Sequence, residues 1–386
     1  MKYKLKNIFD LQMGKTPSRN NTNYWNTNDY EWISIADLSK TEKYITDTKE
    51  YLSTLAIEES GIKVIPANTV VMSFKLSIGK TAITGKDMYC NEAIMAFHDK
   101  HVVDILPEYI YYMFKYRNWD NGSNKAVMGK TLNKSTLSEV EIDICSIEKQ
   151  KEIVTVLDKV MESLSSRKKE LALLDELVRS RFVELFGDVS TETYKYETRR
   201  LGEVANVGSS HRVFTTEFVD HGVPFYRGTE IGELAKGNKP TEPFYISEEH
   251  YNRLANDDTK PKIGDLLMPS ICNKGQVWMV DTDKPFYYKD GRVLCISPNR
   301  EFFNTKYFEH FMRIKTLVEY PKLGSGSTFA EFKIFMLKGI DVLVPPIELQ
   351  NEFADFVHQI DKSKFRGLSM LTAMKSAYEQ QAFIYP

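Results

Sequence analysis

From about residue 147 the hydrophobic rhythm of the chain changes. Apolar side chains return at every seventh position, at Leu157, Leu164, Leu171, Val178 and Leu185, flanked by Val154, Val160, Met161, Leu174 and Phe182. A seven-residue repeat keeps one helix face apolar, so it predicts a coiled-coil seam from Ile147 to about Phe186. Arg167, Lys168 and Asp175 interrupt that seam, and Gly187-Asp188 marks its end. At about 1.5 Å per residue the helix is on the order of 55–60 Å long. A second stripe starts near Ile347 and carries Phe353, Phe356, Val357, Ile360, Leu368, Leu371, Met374 and Tyr378, weakened by Lys364 and Gly367. One such helix would leave its stripe in water, whereas two in one chain can cover each other. Leu157, Leu164, Leu171 and Val178, with Phe353, Val357, Ile360 and Leu371, are the expected core of that pair.

The segments ahead of the two helices read differently. Each holds short runs of β-branched and aromatic residues broken by turn signals such as Pro66-Ala67-Asn68, Asp120-Asn121-Gly122, Asp290-Gly291 and Gly324-Ser325-Gly326. This predicts mixed α/β domains with long loops. The segments also resemble each other at a spacing of roughly 195–200 residues, which signals duplication. Leu5-Lys6-Asn7-Ile8 returns as Leu201-Gly202-Glu203-Val204, and Trp32 to Leu38 returns as Phe225 to Ile231. Thr69 to Ser73 returns as Asp265 to Pro269, with Gly79 falling on Gly275, and Ala93-Ile94-Met95 returns as Val293-Leu294-Cys295. An aromatic helix, Pro107 to Tyr116, is set against Asn304 to Ile314. Clearest is Ile142-Asp143-Ile144 followed by Ile147-Glu148-Lys149-Gln150, which recurs as Val342-Leu343-Val344 followed by Ile347-Glu348-Leu349-Gln350. The expected fold class is α+β. Two tandem mixed α/β domains, residues 1–145 and 191–344, alternate with long helices over 146–190 and 345–386. The helices would pack as an antiparallel coiled coil with pseudo-two-fold symmetry.

Length and charge refine this picture. At 386 residues the chain is long enough for two or three domains. The net charge of −2 argues against a simple polyanion binder, but its distribution is uneven. Residues 1–138 carry 18 Lys/Arg against 15 Asp/Glu and residues 189–340 carry 21 against 20, while 139–188 (8 against 12) and 341–386 (4 against 6) are acidic. An anion-facing surface is therefore expected on the larger blocks. No apolar run approaches a membrane span, and Met1 to Asp10 lacks the apolar core of a signal peptide. Cys90, Cys145, Cys272 and Cys295 are scattered without a CxxC pair, which fits a reducing cytoplasm, the expected compartment.

Catalytic signatures are missing. The Pro-Pro pair in Val344-Pro345-Pro346-Ile347 has neither end of an adenine-methyltransferase tetrad and reads as a turn before the helix. Three Gly-Lys-Thr triplets (Gly14, Gly79 and Gly129 onward) lack the earlier glycine of a phosphate-binding loop, since Phe9, Phe74 and Asn124 stand there. Each triplet is either turn chemistry or a backbone amide and lysine gripping a DNA phosphate. Asp258-Thr259-Lys260 resembles a nuclease fragment only at a level expected by chance, and the histidines lack metal-ligand spacing. No catalytic residue and no metal site are assigned.

The duplicated order resembles the specificity subunit of type I DNA restriction–modification systems over essentially the whole chain. The likeness is carried by Gly14-Lys15-Thr16-Pro17-Ser18-Arg19, by Val223-Pro224-Phe225-Tyr226-Arg227-Gly228, and by the approaches to the two helices, Val140 to Gln150 and Ile340 to Gln350. The first approach lacks the Pro-Pro pair of the second. The resemblance implies two target-recognition domains, each reading half of a bipartite, asymmetric site in double-stranded DNA, and helices that set the gap between half-sites. It also implies docking of two copies of a DNA adenine methyltransferase subunit, joined by a restriction endonuclease/translocase subunit. S-adenosylmethionine, ATP and Mg²⁺ would then belong to those partners, and this chain would be non-catalytic. Candidate DNA contacts follow from acid-free runs and from cations near glycines or turns: Lys15, Arg19, Lys63, Lys75, Lys80, Lys125, Lys130, Lys134, Arg212, Arg227, Lys274, Arg292 and Lys322. Lysines would mainly position the backbone, and arginines could read guanine.

Overall fold

The computed structural model describes residues 1–25, 27–75, 77–119, 132–255, 259–324 and 330–384, with side chains described to Met374. The chain divides into two compact units, Met1–Lys169 with Gly367–Pro386, and Glu170–Arg366. Both are mixed α/β.

In the first unit a sheet runs in the order Phe9–Met13, Ile94–Asp99, Val70–Ser73, Thr81–Thr84, Tyr44–Ile45. The second unit repeats its core as Ala205–Gly208, Val293–Pro298, Leu266–Pro269, Trp278–Met279. A smaller sheet accompanies each. In the first unit Tyr30–Ile33 pairs antiparallel with Glu50–Leu52 and parallel with Tyr89–Cys90. In the second, Val223–Tyr226 pairs antiparallel with Phe244–Ile246 and parallel with Tyr287–Tyr288. The same sequence of parallel and antiparallel pairings in both units is the duplication expressed in hydrogen bonds.

Each unit also closes on itself. Lys2–Lys4 lies antiparallel to Glu141–Asp143, with Lys2 opposite Asp143, and Thr198–Arg200 lies antiparallel to Asp341–Leu343, with Thr198 opposite Leu343. The amide of Leu5 donates to the Val140 carbonyl at 2.9 Å, and that of Leu201 to Ile340 at 2.8 Å. The aromatic helices run Pro107–Tyr116 and Thr305–Glu319. Their first residues correspond, so Asn304 matches Leu106, one position away from the sequence-based register. The capping residues explain the slip: the Asn304 side chain caps its helix, whereas the first copy begins on Pro107 with no side-chain cap.

The long helices are Ile147–Phe186 and Ile347–Ile384, the second running through Gly367. Each starts from a fully buried glutamine. Gln150 Oε1 accepts from the Leu106 amide at 2.9 Å, while its Nε2 donates to the carbonyls of Asp104 (2.9 Å) and Cys145 (3.0 Å). Gln350 repeats the set on Asn304 (3.0 Å), Phe302 (2.8 Å) and Pro345 (2.7 Å). A buried amide needs all its partners, and here donor and acceptor bind backbone that local structure leaves unpaired.

The expected helix-pair core is shared with the domains. Ile153 and Leu157 join the first unit's core with Phe97, Ile110 and Phe114. Leu164 is buried, and Leu171 and Leu371 are half-buried. In the second unit Val178, Phe182 and Phe186 pack with Phe353 and Val357, and Ile360 packs against them. Leu368 is half exposed, with 52% of its surface open. Within this unit the ion pairs run in opposite senses along the two helices, from Asp175 with Lys364 to Arg181 with Glu352, and Phe182 meets Phe353 beside the second pair. Asp175, one of the polar breaks in the first stripe, and Lys364, the charged break in the second, thus neutralise each other.

His310 sits at this junction between Phe182 (5.0 Å between centroids) and Phe353 (5.2 Å), and among the described residues its Nε2 has no hydrogen-bond partner. Burial pulls its pKa down to about 4, helped by Arg313, Lys306 and Lys364 and opposed by Asp361. The fold therefore holds the neutral ring. Its contribution is complete above the ordinary value of 6.5 and is lost as pH falls from there toward 4, by about 2 kcal/mol at pH 5. His310→Phe should remove this term. Melting curves at pH 8 and pH 5 are expected to show a smaller acid-induced drop for the variant than for the wild type, and equal drops would refute the assignment.

Candidate nucleic-acid interface

The candidate cations fall into groups according to what already holds them. Four are tied to carboxylates: Arg19 to Glu50, Arg227 to Glu230, Arg292 to Glu331, and Lys322 to Glu319 (3.1 Å) and Glu192 (3.2 Å). Three have softer partners. The Lys15 amine donates to the Ser60 carbonyl, Lys75 lies 5.2 Å over the Phe74 ring, and Arg212 lies 5.4 Å over Phe214. Lys63, Lys80, Lys134 and Lys274 are exposed, and among the described residues their amines meet no side-chain carboxylate. Lys125 and Lys130 lie outside the described residues. A cation already paired with a carboxylate must give that partner up before it can neutralise a phosphate, so the last group is the better placed for backbone contact.

Two of the Gly-Lys-Thr triplets can be judged. The Gly14 amide donates to Ile94 and the Lys15 amide to Cys90, and a Cβ on Gly14 would lie 2.3 Å from the Cys90 carbonyl oxygen. Gly14 is there for close strand packing. The Gly79 amide donates to the Ser73 carbonyl, and the Lys80 amide to Ser73 Oγ at 3.0 Å. The glycine and lysine amides of both triplets are thus consumed within the fold, which is turn chemistry; the Lys80 side chain stays open to an anion. The third triplet, at Gly129, lies outside the described residues, as do Asp258 and the Ser325-Gly326-Ser327-Thr328 loop. Gly79, at φ +86°, packs on Trp119, and Gly275, at φ +63°, packs on Leu317, the residue matching Trp119. The second half therefore pins this loop to the aromatic helix, and the first half pins it to the residues just beyond that helix.

The small sheets carry arginines stacked on aromatic rings. In the first unit the Arg19 guanidinium lies 3.7 Å over Trp25 and 4.9 Å from Trp32 while both terminal nitrogens face the Glu50 carboxylate. In the second, Arg227 lies 4.5 Å over Phe244. Glu50 stands opposite Trp32 and Phe244 opposite Phe225, so each guanidinium meets the same strand position of its small sheet, although the two arginines come from different segments. Burial would raise the Glu230 pKa, but hydrogen bonds from the Arg227 side chain and amide outweigh it and hold the carboxylate ionised. Sequence reasoning did not find Trp25, Glu50, Glu230 or Phe244. Only Glu230 left a local signal, the Arg-x-x-Glu spacing at a helix start; the others arrive through strand pairing.

Among the described residues no group of three or more His, Cys, Asp or Glu side chains could hold a metal ion, and no helix is long and apolar enough to cross a membrane. The cysteines are unpaired thiols, with Cys90, Cys272 and Cys295 buried.

The chain is similar to known proteins over nearly its full length. Residues 1–175 and 194–367 match the type I restriction modification DNA specificity domain. The type I restriction enzyme MjaIX specificity subunit of Methanocaldococcus jannaschii is 24% identical, across 96% of this chain and 89% of that protein. Two solved structures share the fold. A type I restriction–modification S subunit from M. genitalium has a TM-score of 0.54 at 14% identity, covering 100% of this chain and 96% of that one. A chain from a structural study of type I system assembly and conformational transition has a TM-score of 0.61 at 16% identity, covering 99% and 97%. With two copies of the matching domain on a duplicated α/β fold, the chain belongs to the type I restriction–modification DNA specificity family, whose members recognise DNA sequence as non-catalytic components and act on DNA with methyltransferase and restriction subunits.

Proposed function

We propose that this chain reads a bipartite, asymmetric target in double-stranded DNA, one half-site through residues 1–145 and the other through residues 191–344. The observation that carries this reading is the duplication itself. Each α/β block is followed by a buried glutamine that fastens a long helix to it, while the loops and exposed cations of the two blocks differ. Equal frameworks with unequal reading surfaces fit two different half-sites.

The long helices form an antiparallel coiled coil that fixes the gap between half-sites, a reading supported by the opposite-sense pairs at Asp175–Lys364 and Arg181–Glu352. Dimeric DNA readers set half-sites about one helical turn apart, roughly 34 Å, and a fused pair obeys the same geometry. The helices also dock two copies of an adenine methyltransferase subunit, with the endonuclease/translocase joining that assembly. S-adenosylmethionine, ATP and Mg²⁺ act in those partners, in the cytoplasm. Lys63, Lys80, Lys134 and Lys274 track phosphates.

Replacing residues 1–145 by the corresponding block of a relative tests the division of labour. With the methyltransferase subunits present, methylation sequencing is expected to show one half of the target changed and the other kept. A change in both halves, or in neither, would refute it.

A further inference from the structure

Arg227 is held from two sides. Glu230 accepts from its Nε at 3.1 Å and from its Nη2 at 2.7 Å, so the carboxylate occupies the side edge of the fork. Phe244 lies against its face, and Phe244 is in turn stacked on Phe218, with centroids 4.6 Å apart and planes 8° from parallel. A guanidinium has five coplanar N–H donors. Glu230 takes two of them. The two on Nη1 and the outer one on Nη2 have no partner among the described residues, and two of these three point in parallel off the terminal edge.

Exposure follows the same division. The Glu230 side chain is 7% exposed and that of Arg227 is 40% exposed. The fork is thus fixed in orientation before any ligand arrives, with a parallel donor pair at its open end. That pair matches O6 and N7 of guanine in the major groove. Charge points the same way: Glu230 locally cancels Arg227, which leaves little net attraction for a phosphate but does not weaken directional donation to a base edge. The other candidates differ. Arg19 spends its terminal nitrogens on Glu50, Arg292 is tied to Glu331, and Arg212 rests on Phe214 with no carboxylate among the described residues to fix it.

We propose that Arg227 reads a guanine in the half-site taken by residues 191–344, with Glu230 and Phe244 as its positioning residues. The proposal rests on the DNA-recognition reading above and names one base contact within it.

The test uses the chain assembled with its methyltransferase subunits, as wild type, Arg227→Ala and Arg227→Lys. Methylation of a randomised target library gives the preference at every position, and binding at several salt concentrations gives the charge dependence. The wild type is expected to require guanine at one position that both variants relax by about ten- to hundredfold, leaving other positions and the salt slope unchanged. The helix cap should survive in both variants, because it uses the Arg227 amide on Glu230 at 2.8 Å and not the side chain; a melting curve checks this, and Arg227→Lys, which keeps the charge but not the fork, decides the matter should the alanine variant unfold. Uniform weakening across all sequences with a shallower salt slope would make Arg227 a phosphate contact and overturn the proposal. An unchanged preference would make the Arg227–Glu230 pair purely structural and overturn it equally. A wild-type complex with no sequence preference would instead bring down the DNA-recognition reading, and this assignment with it.

Discussion

Phe182→Ala is expected to lower the stability of the second unit by about 3–5 kcal/mol, the usual cost of emptying a fully packed aromatic site. Phe182 is completely buried. Its ring stacks on Tyr307 (5.7 Å, 11°), tilts against Phe186 (4.9 Å) and meets Phe353 edge-on (5.3 Å). It joins the end of the first long helix to the start of the second and to the aromatic helix of the domain. Its neighbours are rings held on three separate elements, so collapse into the vacated space is restricted. Denaturant unfolding followed by fluorescence would measure the loss. A cost below about 1 kcal/mol would mean that the junction repacks freely and that Phe182 is not its centre.

Gln350→Leu should cost roughly 3 kcal/mol, and Gln150→Leu about as much. Leucine fills a similar volume but leaves one amide and two carbonyls without partners in a buried setting, and each stranded group is penalised by about 1–3 kcal/mol, partly relieved by relaxation. Because the two glutamines make copied bonds, the two variants should lie within about 1 kcal/mol of each other. Hydrogen exchange adds a local readout: the amides of Asn304 or Leu106 should lose protection before the rest of their units. A substitution without effect on either measure would remove the glutamine from its role as the fastening of the helix.

Much of this architecture was legible in the residues. The seven-residue spacing marked the first long helix over the span it occupies, because a heptad stripe is a local property of one element. The duplicated Ile-Glu-x-Gln runs marked both helix starts, although nothing in the sequence said that the glutamine side chain turns back to bind the domain. Strand order was not legible. Val70–Ser73 is buried at all four positions and Leu266–Pro269 likewise, so no alternation betrays which face packs where. The clamped arginines escaped for a different reason. Arg19 meets Glu50 and Arg227 meets Phe244 only after the small sheets have formed, and those partners stand 31 and 17 residues away in sequence. The candidate cations were chosen by local charge density, which cannot distinguish a lysine with an open amine, such as Lys63, from one already bound, such as Lys322.

The pairing of Lys2–Lys4 with Glu141–Asp143, and of Thr198–Arg200 with Asp341–Leu343, has an evolutionary consequence. The polypeptide arrives at each block and departs from it at the same spot, across a single antiparallel ladder. A lengthened loop or an altered strand in the intervening stretch leaves the departure direction of the following helix unmoved so long as the ladder and the backbone groups that bind the buried glutamine are kept. Under the division of labour proposed above, each block is a cassette plugged into a constant socket, and new sequence preferences could then be acquired without rebuilding the frame that carries them.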